Sequence, residues 1–356
     1  MISDVRSGDA RALARAISTV ENHTQGWIEL LKELFPHTGH AVTIGLTGSP
    51  GAGKSTLVDQ LAKLYRRTKN PHPSRTERGL NGAPVSPEGE TENPHPVSQT
   101  TRDKGGATAP QGGPPDNGYS IGIIAVDPTS PYTGGAILGD RIRMQDHFSD
   151  PGIYIRSMAT RGSLGGLARA TADVSLVLDA SGRDIVMIET VGVGQDEVDV
   201  VRVADVTVVI LVPGMGDDVQ TIKAGIMEIA DIFVINKSDH EGAERVEKEV
   251  RALQSLATRD DGWIPPIAKT VATSGAGVPE LAEAIRKYQD YLTGKDLWRR
   301  RRTHSWEARL IEMLRDTLLE KARSMVSEGD LSRLAADIAE HRRDPYSVIQ
   351  EIVEKA

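Results

Sequence analysis

Short runs rich in Val and Ile, each about the length of a β-strand, alternate with helical stretches through the middle of this chain. The runs are almost continuously apolar, which is typical of strands buried on both faces of a parallel sheet. Because amphipathic stretches lie between most of the runs, the pattern predicts an α/β protein with a doubly wound, mostly parallel sheet. The predicted strands are 42–46, 121–126, 153–155, 185–188, 206–212, 232–235 and 267–271, and the predicted helices are 55–67, 165–178, 218–229 and 242–257.

Both ends of the chain and one internal segment depart from this alternation. Residues 1–39 are predicted to be an N-terminal helical extension, because apolar residues recur at helical spacing over 8–36. Residues 70–118 hold nine of the 19 prolines and eight glycines. Such a segment can bury too little apolar surface to offset the entropy lost when a chain becomes ordered. We predict a disordered insertion in an α/β domain of residues 40–294; a linker between two domains is the alternative. Residues 295–356 are predicted to be a C-terminal helical arm.

Composition excludes several classes of function. The 356 residues include 42 Lys and Arg against 50 Asp and Glu, a formal net charge of −8, which argues against a protein that coats nucleic acid, since such proteins normally have a basic surface. Cysteine is absent, which excludes disulfides, thiolate metal sites and a cysteine nucleophile and favours a reducing compartment. No apolar run reaches about 18 residues, and the first four residues lack the features of a signal peptide. We therefore expect a cytoplasmic protein with no nucleic-acid and no membrane partner.

The sequence GSPGAGKS at residues 48–55 has the pattern of a phosphate-binding P-loop, placed between a predicted strand and a predicted helix. Glycines let backbone N–H groups approach phosphate oxygens, and the helix N-terminus adds a positive dipole end. Lys54 is predicted to reach the β- and γ-phosphates, and the Ser55 hydroxyl is predicted to hold Mg²⁺. The candidate nucleotide-binding residues of this loop are Gly48, Pro50, Gly51, Ala52, Gly53, Lys54, Ser55 and Thr56.

The sequence Asn236-Lys237-Ser238-Asp239 follows the predicted strand 232–235 and bears on which base is bound. A carboxylate at Asp239 can accept hydrogen bonds from both N1–H and the 2-amino group of guanine. Adenine presents no such donor pair, so the motif selects guanine. Ala272 follows a later strand, where a backbone N–H can contact the guanine oxygen; an ordinary strand-to-helix turn is the alternative there.

Two carboxylates come at the ends of predicted strands, Asp127 and Glu189. The carboxyl ends of such strands face the ligand crevice of a doubly wound sheet, so both are predicted to point toward Mg²⁺ and phosphate. Gly192 can offer its N–H to the γ-phosphate, and Asp140, in a glycine-rich segment, is a further candidate metal contact. The alternative for each carboxylate is a helix cap or a solvated turn.

A further loop at residues 213–218 precedes Lys223. A salt bridge between this lysine and Asp217 or Asp218 that changes with nucleotide state is one interpretation. A capped helix start at one of these two aspartates is the other.

Taken together, these motifs resemble the MeaB/ArgK family of P-loop GTPases, over the whole chain except residues 70–118. The string Glu-Thr-Val-Gly-Val-Gly-Gln at 189–195 is especially characteristic, since most small GTPases have Asp-x-x-Gly there. The resemblance implies a P-loop NTPase of the SIMIBI class that hydrolyses GTP slowly with Mg²⁺ and binds GTP or GDP. It also implies a homodimer formed through the C-terminal arm.

The same resemblance implies a partner and residue roles. The partner would be an adenosylcobalamin-dependent acyl-CoA mutase of the methylmalonyl-CoA mutase type, for which the GTPase gates cofactor loading and protects or reactivates the enzyme. The implied Mg²⁺ and phosphate residues are Lys54, Ser55, Asp127, Asp140 and Glu189, with Lys54, Glu189 and Gly192 as the catalytic set; the implied guanine residues are Asn236, Lys237 and Asp239; the implied switch residues are Asp217, Asp218 and Lys223.

Two other functions remain open on the sequence. One is a kinase or ATPase linked to transport of amino acids such as lysine, arginine or ornithine, against which the guanine motif argues. The other is a metal-delivery GTPase, against which the lack of cysteine and the scattered nine histidines argue.

Overall fold

The computed structural model describes residues 1–68, 118–127, 147, 150–159, 166–190, 192, 203–214, 229–256 and 259–355. The chain divides into two compact units, Met1–Gln289 and Asp290–Ala356. Most of the predicted insertion and of the predicted helix 218–229 lies outside the described residues.

The first unit contains one sheet of seven parallel strands in the order β3-β2-β4-β1-β5-β6-β7. The predicted doubly wound sheet is therefore confirmed. Because β1 is central and the chain proceeds outward from it in both directions, a ligand crevice is expected at the carboxyl end of β1. The strands are β1 Val42–Gly48, β2 Ile121–Asp127, β3 Ile153–Ala159, β4 Ile185–Glu189, β5 Val206–Leu211, β6 Ile232–Asn236 and β7 Ile267–Thr270.

Helices cover the sheet and make up the second unit. A short 3₁₀ helix, Phe35–His37, follows α3. The described α-helices are α1 Ile2–Arg6, α2 Ala10–Glu21, α3 Trp27–Leu34, α4 Lys54–Arg67, α5 Gly166–Ala180, α6 Ala243–Leu256, α7 Val278–Gly294, α8 Leu297–Ser324, α9 Glu328–Ala339 and α10 Pro345–Lys355.

The N-terminal region differs from a single helical stretch over 8–36. The Asp9 carboxylate caps α2 by accepting from the Ala12 N–H at 2.7 Å. The helix ends at Glu21, and the backbone then takes left-handed angles at His23 and Gly26, which redirect the chain into α3. These helices pack with α5 and strands β2 and β4 around one apolar cluster that includes Leu13, Ile17, Leu34, Val177 and Ile188.

Carboxylates organise the amino edge of the sheet, the edge where the strands begin. Asp179, at the end of α5, is buried and accepts the N–H groups of Gly39, His40 and Ala41 at 2.6, 3.2 and 2.9 Å. Burial raises the pKa of Asp179, although these three donors act in the opposite direction. Other aspartates accept backbone N–H groups near strand starts in the same way: Asp150 from Gly152, Asp184 from Ser120, Asp205 from Thr43 and Asp231 from Thr207.

The end of α4 and the start of β2 lie side by side, although 49 undescribed residues separate them in sequence. The Arg66 guanidinium makes two 2.8 Å hydrogen bonds to the Asp150 carboxylate and one of 3.0 Å to the Tyr119 carbonyl. The Tyr119 N–H also donates to the Tyr65 carbonyl at 3.3 Å. A Cβ on Gly118 would overlap the Arg66 carbonyl oxygen, so the end of the helix and the segment before β2 pack closely. The two ends of the described chain on either side of this gap therefore lie next to each other.

The second unit consists of helices, as the spacing in the arm predicts. Several of its large apolar side chains are at least half exposed: Leu310, Ile311, Leu314, Leu318, Leu319, Met325, Leu331, Tyr346, Ile349 and Val353. In the described part of the chain, no helix combines the length and the apolarity needed to cross a membrane.

Candidate nucleotide-binding site

The predicted P-loop connects the central strand β1 to α4. Gly48, Gly51 and Gly53 all have positive φ, with values of 148°, 78° and 86°. A Cβ on Gly48 would overlap the Ile210 carbonyl oxygen of β5, and one on Gly53 would overlap the side-chain amide of Asn236. Only glycine fits at Gly48 and Gly53, and a loop without these side chains lets backbone N–H groups approach phosphate oxygens.

Lys54, the first residue of α4, is buried beneath this loop. Its Nζ donates to the Gly48 carbonyl at 2.7 Å and to the Ser49 carbonyl at 3.0 Å. Gly192 lies directly against the same atoms, since a Cβ on it would come within 2.6 Å of Lys54 Nζ. The structure therefore brings together the lysine and the glycine that the sequence assigns to the γ-phosphate.

Ser55 and Glu189 meet at the carboxyl edge of the sheet. The Ser55 hydroxyl donates to Glu189 Oε1 at 2.6 Å, and both side chains are buried. Glu189 is paired in register with Leu46 of β1 and Ala125 of β2, and Asp127 ends β2 two residues later. A hydroxyl and a carboxylate are hard oxygen donors of the kind that Mg²⁺ prefers, so these residues fit the predicted cation.

Asn236 links the phosphate side of the site to the loop after β7. Its side-chain N–H donates to the Ala52 carbonyl at 2.8 Å, and its oxygen accepts from the Ala272 N–H at 3.1 Å and the Thr270 hydroxyl at 3.0 Å. The side chain is buried. Asn236 therefore positions the two loops, a role that its place in a four-residue motif does not reveal.

The turn that carries Asp239 is fixed by backbone hydrogen bonds. The Ser238 N–H donates to the Thr270 carbonyl at 3.1 Å, and the His240 N–H donates to the Lys237 carbonyl at 2.9 Å. Lys237 has a φ of 54°, in the left-handed region. The Asp239 side chain is exposed at this edge, where an incoming base can reach it.

Two groups of polar contacts, one beside the P-loop and one on α4, were not predicted from the sequence. The Thr190 hydroxyl donates to the Thr47 hydroxyl at 3.1 Å, and both residues are buried. On α4, Asp59 bonds to His147 at 2.7 Å and to Lys63 at 2.9 Å. Burial raises the pKa of Asp59, but the hydrogen bonds from His147 and Lys63 outweigh it and hold that pKa below its usual value. The only signal in sequence is a polar residue within or beside an apolar segment.

Several predicted site residues cannot be placed. Asp140, Asp217, Asp218 and Lys223 lie outside the described residues, and of Asp127 only the backbone position is described. Within the described ranges, no three acidic or histidine side chains form a metal-binding group.

Comparison with known proteins places the chain among GTPases. The family described as "Methylmalonyl Co-A mutase-associated GTPase MeaB" matches residues 10–70 and 115–327 and is interrupted only at the predicted insertion. A putative GTPase of Pyrococcus abyssi is 41% identical over 358 residues, which cover 100% of this chain and 95% of that protein. The mouse protein "Methylmalonic aciduria type A homolog, mitochondrial" is 32% identical over 326 residues, 86% of this chain and 67% of that protein.

A solved structure supports the fold. The crystal structure of "LAO/AO transport system kinase" superimposes with a TM-score of 0.64 and 24% identity, covering 99% of this chain and 95% of that one. At this identity the likeness bears on the fold and not on the substrate.

Proposed function

Since the chain belongs to the MeaB family of GTPases, we propose that it hydrolyses GTP with Mg²⁺ in order to act as a chaperone of an adenosylcobalamin-dependent acyl-CoA mutase. In this proposal it gates cofactor loading into the mutase and protects or reactivates that enzyme. The observation that carries the nucleotide part is the convergence of Lys54, Gly192, Ser55 and Glu189 at the end of β1. The partner rests on the description of the matching family and on the name of the mouse relative.

The phosphate chain would lie along the P-loop, in contact with its backbone N–H groups. Lys54 would exchange its bonds to the Gly48 and Ser49 carbonyls for bonds to the β- and γ-phosphates, and its position beneath the loop supports this role. The Gly192 N–H would contact the γ-phosphate. These groups stabilise charge that develops as water attacks, but none of them orients the water, and we therefore expect slow hydrolysis without a partner.

Ser55 and Glu189 would hold the cation, with Asp127 and Asp140 as further contacts. Mg²⁺, when bound, neutralises charge on the β- and γ-phosphates. The Ser55 hydroxyl would turn from Glu189 to the cation, a rotation about one side-chain bond. On the base side, Asp239 would accept from guanine, with Lys237 and the Ala272 N–H beside it and Asn236 bracing both loops.

The first experiment measures nucleotide binding by calorimetry in the presence of Mg²⁺. The wild-type protein should bind GTP and GDP and should bind ATP far more weakly. Lys54→Ala should lose GTP binding and turnover, whereas Lys32→Ala, an exposed lysine on α3, should behave as wild type. Equal affinity for ATP would favour the transport-kinase alternative, and normal turnover by Lys54→Ala would contradict the P-loop assignment.

The base assignment has its own test. Asp239→Asn should shift preference from guanine toward xanthine, because an amide can donate to the carbonyl at position 2. Asp260→Asn, at another exposed aspartate, is the control. Unchanged selectivity for GTP in Asp239→Asn would contradict the role of that carboxylate.

The partner is tested by adding an adenosylcobalamin-dependent mutase encoded in the same genome. The mutase should co-elute with the GTPase and increase its rate of hydrolysis, and Lys54→Ala should remove the nucleotide dependence of cofactor loading. A rate and an elution volume that no such mutase changes would exclude this partner class.

We also propose that the second unit forms a homodimer interface. Leu310, Leu314 and Leu318 follow one another at four-residue intervals on α8, and each is more than half exposed. Light scattering should give the mass of a dimer. Leu314→Glu with Leu318→Glu should give a monomer, while Arg315→Glu on the same helix should not; a wild-type monomer at micromolar concentration would refute the proposal.

A further inference from the structure

The hydroxyl groups of Thr47 and Thr190 join the two segments that carry the γ-phosphate contacts. Their oxygens are 3.1 Å apart, and the residues are 1% and 3% exposed. Thr47 immediately precedes Gly48, the carbonyl of which accepts from Lys54. Thr190 immediately follows Glu189 and stands two residues before Gly192. The pair therefore connects the residue before the P-loop to the residue two positions before Gly192.

Thr190 is joined to β1 through both its backbone and its side chain. Beyond Glu189 the Thr190 N–H donates to the Leu46 carbonyl at 3.1 Å, and the Thr190 hydroxyl then bonds to Thr47. Gly192 itself packs so closely on the P-loop that a Cβ would overlap the Gly48 carbonyl and crowd Lys54 Nζ. Because Gly192 packs this closely and follows Thr190 by two residues, a small displacement of Thr190 changes the distance between Gly192 and Lys54.

We propose that the Thr47–Thr190 hydrogen bond is a positioning contact that sets the distance between Gly192 and Lys54, and thereby the preference of the site for GTP over GDP. This inference rests on the proposed function, because it assumes that Gly192 and Lys54 share the γ-phosphate. GDP lacks that group, so a misplaced Gly192 weakens the GTP complex and leaves the GDP complex almost unchanged. Thr190 acts through Gly192 and is a positioning residue, not a catalytic one.

Thr207 supplies a matched control. It lies in β5 beside β1, is fully buried, and its hydroxyl makes no hydrogen bond to any residue that the structure describes. It is paired with Gly45, three residues before the P-loop residue Gly48. Thr207→Val and Thr190→Val thus remove the same atom from equally buried sites, but only the second breaks a hydrogen bond.

The experiment compares the full-length wild type with Thr190→Val, Thr190→Ser, Thr47→Val, the double valine variant and Thr207→Val. Calorimetry measures the affinities for GDP and for a non-hydrolysable GTP analogue with Mg²⁺, and steady-state kinetics measure kcat and KM. Thr190→Val should weaken the analogue about tenfold and lower kcat by a similar factor, with GDP affinity within about twofold. Thr190→Ser should restore both, and Thr207→Val should match the wild type.

Thr47→Val should reproduce the Thr190→Val effect, and the double variant should be no worse than either single one, because the two residues share one bond. If Thr190→Val fails to fold, Thr47→Val tests the same hydrogen bond from its other partner. Equal weakening of GDP and the analogue, or no rescue by serine, would show a merely structural role and overturn the inference, as would unchanged binding in both valine variants. A wild-type protein that binds no guanine nucleotide would instead overturn the proposed function.

Discussion

The two edges of the sheet use carboxylates in opposite ways. At the amino edge, Asp179 accepts three backbone N–H groups, and four further aspartates each accept at least one. At the carboxyl edge, Glu189 accepts from the side-chain hydroxyl of Ser55. Asp179 and Asp231 at the amino edge are as buried as Glu189, so burial alone does not separate the two kinds of carboxylate.

The difference lies in the donor. A backbone N–H is fixed by the fold. Removing its acceptor leaves an unsatisfied donor, which lowers the free energy of unfolding. A serine hydroxyl rotates about one bond and can release the carboxylate to a cation. Amino-edge carboxylates should therefore contribute to stability, and the carboxyl-edge carboxylate should contribute to activity. Three predictions test this division and a fourth tests the junction between α4 and β2; they run from the largest expected effect to the smallest.

Glu189→Gln should lower kcat for GTP hydrolysis about 100-fold, because the amide keeps the shape but loses the charge that faces the cation. The melting temperature should stay within about 2 °C of the wild type, since Ser55 can still donate to the amide oxygen. Steady-state kinetics measure kcat, and thermal unfolding measures the melting temperature. A large loss of stability with normal turnover would reverse the division.

Asp179→Ala should lower the free energy of unfolding by about 3 kcal/mol, because the N–H groups of Gly39, His40 and Ala41 lose their acceptor. Turnover at 25 °C should be close to that of the wild type. Urea denaturation and steady-state kinetics provide the measurements. If GTP turnover fell tenfold while stability held, the amino edge would be part of the site.

Arg66→Gln should destabilise the protein by about 2 kcal/mol at pH 7, because it removes two charge-assisted hydrogen bonds to Asp150. The hydrogen bond from Arg66 is the main reason that the pKa of Asp150 lies below 3.8. A carboxyl group whose pKa is lowered by folding stabilises the folded state at a pH above the pKa that it has in the unfolded chain. This contribution is lost as the pH falls through the pKa that it has in the folded protein. The difference between variant and wild type should thus be full at pH 7 and 5 and smaller below pH 3.8. A difference that does not change with pH would exclude this ion pair as its source.

Replacing residues 69–117 with a short Gly-Ser linker should have the smallest effect. Tyr65, Arg66 and Tyr119 already hold the two ends together, so a short connection can close the gap. The melting temperature should change by no more than about 3 °C and GTP affinity by no more than about twofold. A collapse of the melting transition would show that the segment contributes to the core.

Much of this arrangement could be predicted from the sequence. The seven apolar runs became the seven strands, because strands buried on both faces need continuous Val and Ile. The P-loop could be predicted because its residues are consecutive and its glycines are required locally. The N-terminal region was harder: apolar spacing persists across Asn22 to Gly26, although the left-handed backbone there ends one helix before the next begins.

The sequence by itself determined the layered α/β fold and the residue types at the candidate nucleotide site, since both depend on neighbours within one turn or one strand. Only the tertiary structure decided which polar groups meet across strands. It placed Asn236 between Ala52 and Ala272, and Thr190 against Thr47. It also placed Asp179 against the backbone of Ala41, the residue before β1. These partners are between 36 and 184 residues apart in the chain, and their hydrogen bonds exist only because a parallel sheet brings distant strand ends to a common edge.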